Sequence, residues 1–255
     1  MKSILVYDGS FDGLLSAIFY VYEYKLTEVS ISKREHTVES FFDQEIEIFT
    51  DEEKAKRVWN GLSKKISASG KKKLYKAFLS ELPSIEDTIL YYIRKALASK
   101  VNIEKDFTDP NILKIAQVVK KIDREKHRMD AFVRFRLTED GIYFATIEPD
   151  FNVLPLNAPH FKKRYADQKW LIFDLKRSYG IYYDLEQVQT VSLELPADIN
   201  SKTKASAYFT SEEMQFQNLW GNYFKNSNIV SRKNSKLHIK HIPKRYWKYL
   251  PEKNF

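Results

Sequence analysis

Near residue 131 the spacing of apolar side chains changes period, and that change restricts the chain to a mixture of helix and sheet. Upstream, Ile112, Ile115, Ala116, Val119 and Ile122 recur three and four residues apart, the stripe of a helix opened by Thr108, Asp109 and Pro110. Downstream, Val133, Phe135 and Leu137 alternate with Arg134 and Arg136, which places the apolar set on one face of a strand over 131–137 and both arginines on the other. Glu139-Asp140-Gly141 reads as a turn and 142–147 as the return strand of a hairpin. Pro149, Pro155 and Pro159 break the next stretch into a loop, Asn157 caps a short helix starting at Ala158-Pro159, and 170–175 is a third strand. Gly180 marks a turn before a fourth strand at 181–184. The strand–strand–helix–strand–strand order predicts an α+β fold, a mostly antiparallel sheet packed with helices.

The N-terminal part reads differently. Residues 2–7 form a short buried strand, Asp8-Gly9-Ser10-Phe11-Asp12-Gly13 a turn, and 14–24 a helix. A strand–loop–helix of this kind is a possible anion site, and Asp8 closing a strand suits a phosphatase-type nucleophile or a Mg²⁺ ligand. The plainer reading is helix capping by Ser10 or Asp12, with glycines shaping the turn. Further strands are expected near 29–32 and 45–49, and helix over 51–81, broken near Ser67-Ala68-Ser69-Gly70. Lys71-Lys72-Lys73 reads as a solvated face offset by acids at 51–53 and 81. Leu82-Pro83 separates an N-terminal strand–loop–helix and helical region (1–83) from a C-terminal α+β domain (84–255). Ser84 with Asp87, and Thr210 with Glu213, have capping-box spacing; the second helix would bury Phe216, Leu219, Trp220, Tyr223 and Phe224. Residues 185–209 read as loop.

Charge is unevenly placed. The 255 residues carry 42 Lys+Arg against 34 Asp+Glu, yet residues 225–255 hold nine bases and only one acid, Glu252, so the whole excess of +8 lies there. Tyr246, Trp247 and Tyr249 are interleaved with these cations. Cations that neutralise phosphates, beside rings that stack on bases, suit a nucleic acid; a solvated terminal helix with its aromatics turned inward is the alternative. Candidate phosphate contacts are Arg232, Lys236, Lys244, Arg245 and Lys248. With no cysteine, the chain by itself excludes a Cys-ligated iron–sulfur cluster, a Cys-rich zinc site, a thiol nucleophile and a disulfide. The first residues hold too short an apolar run for a signal peptide, and no stretch approaches a bilayer span, so the expectation is a cytoplasmic protein without membrane contact.

Arg134 and Arg136 would clamp phosphates from one strand face, or form structural salt bridges, for instance to Asp174. His160 and Arg164, one helical turn apart, would bind a phosphate or base; His160 would otherwise transfer protons or pack beneath a loop. Asp174 and Arg177 would close such a pocket or pair with each other. Catalytic candidates are Asp8, Asp12, His160 and Asp174. His238 and His241 lack a third ligand and sit among cations, so no metal site is expected.

Several strings occur together: Asp8-Gly9-Ser10-Phe11-Asp12-Gly13; His127-Arg128-Met129 running into Phe132-Val133-Arg134-Phe135; Glu148-Pro149-Asp150-Phe151-Asn152-Val153-Leu154-Pro155-Leu156 leading to His160-Phe161 and Arg164; Trp170-Leu171-Ile172-Phe173-Asp174; and Pro243-Lys244-Arg245-Tyr246-Trp247-Lys248-Tyr249-Leu250. In these the chain resembles a bacterial family described as a probable DNA metabolism or putative DNA repair protein. The C-terminal part of that family is a domain of unknown function, sometimes fused to a uracil-DNA-glycosylase-like domain. Its members are typically encoded beside a radical-SAM protein. The resemblance implies DNA and that radical-SAM protein as partners. It leaves the iron–sulfur cluster and S-adenosylmethionine to the partner, with no cofactor in this chain. The expected function is a DNA-binding accessory protein of a repair or modification system. The alternatives are an enzyme on DNA or nucleotides (a glycosylase or phosphoryl hydrolase) and a protein–protein adaptor that does not touch DNA.

Overall fold

The structure is a computed structural model and describes residues 2–36, 43–193, 210, 239 and 242–250. It falls into two compact units, Met1–Asp123 and Arg124–Phe255.

Unit 1 is built on three parallel strands, β1 (Ser3–Tyr7), β2 (Val29–Lys33) and β3 (Gln44–Glu47), in the order β2-β1-β3. Leu5, Val6 and Tyr7 are consecutive and all buried, as a central parallel strand covered on both faces requires. Helix α1 (Phe11–Glu23) crosses from β1 to β2 and buries Leu14, Ala17, Ile18 and Val21. It is followed by α2 (Glu52–Leu62), α3 (Ala68–Phe78), α4 (Ile85–Ala98) and α5 (Pro110–Phe132), within which the two units divide. The strand signals were legible in the sequence; their assembly into a parallel sheet was not, because parallel partners are distant in the chain.

Helix starts are set by individual side chains. Ser10 Oγ accepts from Gly13 N, Asp51 from Glu53 N and Lys54 N, and Asp109 from Asn111 N and Ile112 N. The expected box at Ser84 and Asp87 does not form. Ser84 is left-handed (φ +57°) and caps nothing with its side chain. Asp87 instead accepts from Ile31 N at 2.8 Å and Ser30 Oγ at 2.6 Å, covering an amide of edge strand β2.

Unit 2 holds a five-stranded sheet in chain order: β4 (Arg136–Leu137), β5 (Tyr143–Ile147), β6 (Trp170–Asp174), β7 (Tyr179–Tyr183) and β8 (Val188–Val191). Three pairings are antiparallel; β5 and β6 are parallel because α6 (Leu154–Arg164) carries the chain back between them. The class is therefore α+β, with β8 the strand that alternation did not reveal. Trp170, Phe161, Ile172, Phe144 and Tyr183 form the buried centre.

Four local expectations change. Helix α5 persists through Phe132, so the strand expected over 131–137 shrinks to Arg136–Leu137. Arg134 stabilises that helix end, donating from Nη1 to the carbonyls of Ala131 (2.7 Å) and Val133 (3.3 Å). Helix α6 starts at Leu154, with Pro155 in its first turn, where a missing N–H costs nothing, and with Pro159 inside it. Asn157 is therefore no cap: it is buried, and its Nδ2 donates to Lys126 O at 2.9 Å and Asp130 Oδ1 at 2.6 Å. Gly180 lies within β7, not in a turn, where a Cβ would sit 2.9 Å from the carbonyl oxygen of Ile172. The helix expected after Thr210, with Phe216, Leu219, Trp220, Tyr223 and Phe224, lies outside the described residues.

Candidate functional site

The described part of the basic C-terminal segment is a 3₁₀ turn, Lys244–Tyr249, entered through Pro243. Its anchor is Tyr246, 2% exposed, whose ring packs 5.5 Å from that of Phe132 and whose hydroxyl donates to Glu125 Oε1. Burial first, and the Glu125 carboxylate second, push the Tyr246 hydroxyl well above the ordinary tyrosine range. Trp247 is only half-buried, and its Nε1 donates to Ile242 O at 3.0 Å.

The cations of this turn meet acids. Arg245 Nη2 lies 2.5 Å from Asp150 Oδ2 and 3.5 Å from Glu125 Oε2, with its guanidinium 4.6 Å from the Tyr246 ring centroid. Lys248 pairs with Glu148, which also accepts from Tyr249 at 2.5 Å. Those two hydrogen bonds, Lys248 foremost, hold the Glu148 carboxyl below its usual value. The Arg245 and Lys248 side chains nevertheless remain 45% and 62% exposed. Lys244 is exposed, with no carboxylate at salt-bridge distance among the described residues. Arg232, Lys236, His238 and His241 lie outside the described residues.

The other unit 2 candidates make contacts of their own. Arg134 is occupied at the end of α5, whereas Arg136 sits on β4 opposite Phe144. His160 and Arg164 do share a face of α6; the His160 ring stands edge-on to Phe161, and exposed Arg164 lies 5.7 Å from the Tyr165 ring centroid. Asp174 is fully buried. Its Oδ2 accepts from Arg177 Nη1 at 2.8 Å and its Oδ1 from Lys176 N and Arg177 N. Arg177 also donates to Pro149 O and Asp150 O, so this pair clasps the β6–β7 turn to the loop after β5. No hydrogen bond joins His160 to Asp174.

Unit 1 carries a second constellation. The strand order β2-β1-β3 reverses direction at β1, and in open parallel sheets the carboxyl ends of strands at such a reversal form a crevice. Asp8 stands there, directly after β1. Its Oδ1 accepts from Ser10 N (2.9 Å) and Ser10 Oγ (2.7 Å), and its Oδ2 from Thr50 Oγ1 (2.7 Å), which follows β3. Burial alone would raise the Asp8 carboxyl; the Ser10 and Thr50 hydrogen bonds outweigh it and hold it below its ordinary value. A Cβ on Gly13 would lie 2.2 Å from Asp8 Oδ1, so the close approach of this carboxylate to α1 requires glycine. Asp12 is exposed, and its contribution is a backbone carbonyl that accepts from Ser16 Oγ. Thr50 was missed from sequence because it is 42 residues from Asp8 and carries no motif.

Beside β2 lies a cavity of about 380 Å³, lined among others by Ser30, Ser32, Lys33, Glu81, Glu86 and Asp87. Glu86 is 6% exposed and accepts from the Tyr7 hydroxyl at 3.1 Å. Among the described residues no group of three or more His, Asp or Glu side chains is placed to hold a metal ion, and no helix is long and apolar enough to cross a membrane.

These features define an α+β protein of two units, one built on a parallel sheet and one with a cation-rich C-terminal turn. A family model described as a domain of unknown function, DUF4130, matches residues 83–252, and the chain belongs to that family. No curated protein matches the sequence.

Proposed function

We propose that this chain is a cytoplasmic, DNA-binding accessory protein of a bacterial DNA repair or modification system, acting with a radical-SAM partner that holds the iron–sulfur cluster. The observation that carries the DNA reading is the crowding of nine cations against one acid in residues 225–255. The radical-SAM partner and the link to uracil-DNA-glycosylase-like domains rest on the sequence resemblance alone. The pairing of Arg245 and Lys248 refines the interface. Arg245 is engaged by Asp150 and Glu125, so within the described turn Lys244 and the more exposed Lys248 are the cations that a phosphate would meet. Exposed ion pairs such as Lys248–Glu148 are worth under about 1 kcal/mol, so a phosphodiester competes with the carboxylate.

The expected result is duplex binding that weakens with salt by a log–log slope of about −0.9 per phosphate neutralised. Lys244→Glu with Lys248→Glu should weaken binding at least tenfold and flatten the slope. Unchanged affinity at low salt in this double variant removes the Lys244–Tyr249 turn from the interface.

One observation favours an enzyme as the second reading: the Asp8 carboxylate, fixed by Ser10 and Thr50 at the reversal point of the parallel sheet. Under it, purified protein should process uracil-containing or abasic oligonucleotides, and Asp8→Asn should abolish turnover without loss of folding. Equal turnover by Asp8→Asn ends that reading.

A further inference from the structure

Residues 54–76 contain nine cations (Lys54, Lys56, Arg57, Lys64, Lys65, Lys71, Lys72, Lys73 and Lys76) and no acid. The zero net charge of residues 1–224 conceals this run, which occupies most of α2 and α3 and lies outside the segment matched by the family model. Carboxylates reach only part of it. Lys54 pairs with Glu23 at 3.1 Å, Lys56 with Glu52 and Glu53 at 3.3 and 3.8 Å, and Lys76 with Asp123. Lys73 feels Glu104. The remaining five, Arg57, Lys64, Lys65, Lys71 and Lys72, have no carboxylate at salt-bridge distance among the described residues.

Lys71 makes two contacts. Its ammonium sits 4.2 Å from the Trp59 ring centroid and donates to Ser63 Oγ at 2.8 Å. Trp59 is itself fixed on α2 by an edge-to-face contact with Phe11 at 5.3 Å, and Tyr75 packs on the same Phe11 at 5.1 Å. An indole and a hydroxyl therefore aim a cation that no anion neutralises, and its burial draws the Lys71 ammonium below its ordinary value. Lys64 and Lys65 follow Ser63 in sequence, Lys72 follows Lys71, and Arg57 lies on α2 with its guanidinium 5.0 Å from the Phe19 ring centroid; all four are exposed. A surface that keeps cations together without counter-charges incurs self-repulsion, which a polyanion relieves.

We propose that the α2–α3 face of unit 1 is a nucleic-acid contact surface in its own right, gripping the sugar–phosphate backbone of DNA through Arg57, Lys64, Lys71 and Lys72. This rests on the DNA-binding reading above but not on the C-terminal cations that carry it. With no base-reading geometry in the cluster, the contact is independent of sequence.

The test is fluorescence anisotropy of the full chain with a labelled 30-mer, as duplex and as single strand, across a salt series. The variant Arg57→Glu/Lys64→Glu/Lys72→Glu changes only exposed cations without carboxylate partners, and its thermal melt should match wild type. It should bind at least tenfold more weakly at low salt, with a salt slope shallower by about two to three on duplex DNA. Lys71→Met alone should give a smaller loss in the same direction. Wild-type affinity and slope in the triple variant, while Lys244→Glu/Lys248→Glu is impaired, overturns this inference and leaves the DNA reading standing. Absence of DNA binding by the wild-type chain at every salt concentration overturns both.

Discussion

Replacing Glu125 by alanine should cost about 3–5 kcal/mol of stability, the range for removing one partner of a buried charge cluster. Glu125 is 2% exposed and serves four groups. It accepts from the Tyr246 hydroxyl and from Asp150 N at 2.9 Å, and faces Arg128 at 3.4 Å and Arg245 at 3.5 Å. Without it a buried tyrosine hydroxyl and a backbone amide lose their acceptor, and Arg128 and Arg245 each lose a counter-charge. Glu125→Gln keeps an acceptor for the hydroxyl and the amide but loses the charge, so its cost should be roughly half. Urea unfolding measures both variants. Limited proteolysis should show cleavage near Pro243 in Glu125→Ala under native conditions, because Tyr246 is what docks the Lys244–Tyr249 turn. A Glu125→Ala protein within about 1 kcal/mol of wild type would mean that the turn is held by the Tyr246 ring and Leu250 alone.

Glu125 also marks where sequence reading stopped. The Lys and Arg of the last 31 residues were visible as a charge excess, but their partners Glu125, Glu148 and Asp150 are about a hundred residues away and nothing local announces them. Elements governed by local chemistry were legible. The turn at Gly141 (φ +78°), the Ser10 and Asp109 caps, the helical stripe of α5 and the hairpin strand β5 follow from side chains within a few residues of one another. Where a residue type has two uses, tertiary context decided. Arg134 alternates like a strand residue but closes a helix; Asp87 has capping-box spacing but binds an edge strand; Gly180 is small for packing, not for turning. The Asp8 loop was legible as a motif, and its setting at the reversal of a parallel sheet became apparent only once β3 and Thr50 were placed. Lys71-Lys72-Lys73 reads as a solvated face because acids at 51–53 and 81 balance it in sequence, whereas in space none of those acids lies at salt-bridge distance from the three lysines.

Asp174→Ala is expected to be as damaging as the loss of Glu125, about 3–5 kcal/mol, because it strands a buried guanidinium. The Arg177 side chain is 9% exposed and Asp174 is 0% exposed, joined at 2.8 Å. Burial raises the Asp174 carboxyl and Arg177 opposes that rise, so the pair is stable only as a pair. Two amides, Lys176 N and Arg177 N, also lose their acceptor in the alanine variant. Asp174→Asn retains an acceptor for those amides and should recover part of the loss. The double variant Asp174→Ala/Arg177→Met removes both charges and should be markedly more stable than Asp174→Ala alone, a positive coupling of at least about 1 kcal/mol in a double-mutant cycle. Strict additivity would show that the two groups act separately. The same cycle bears on catalysis. An Asp174 that orients His160 for proton transfer would lower turnover in Asp174→Asn with little change in melting temperature, whereas a structural clasp lowers melting temperature in step with any loss of activity. The occupied carboxylate oxygens and the absent hydrogen bond to His160 place the expectation on the clasp.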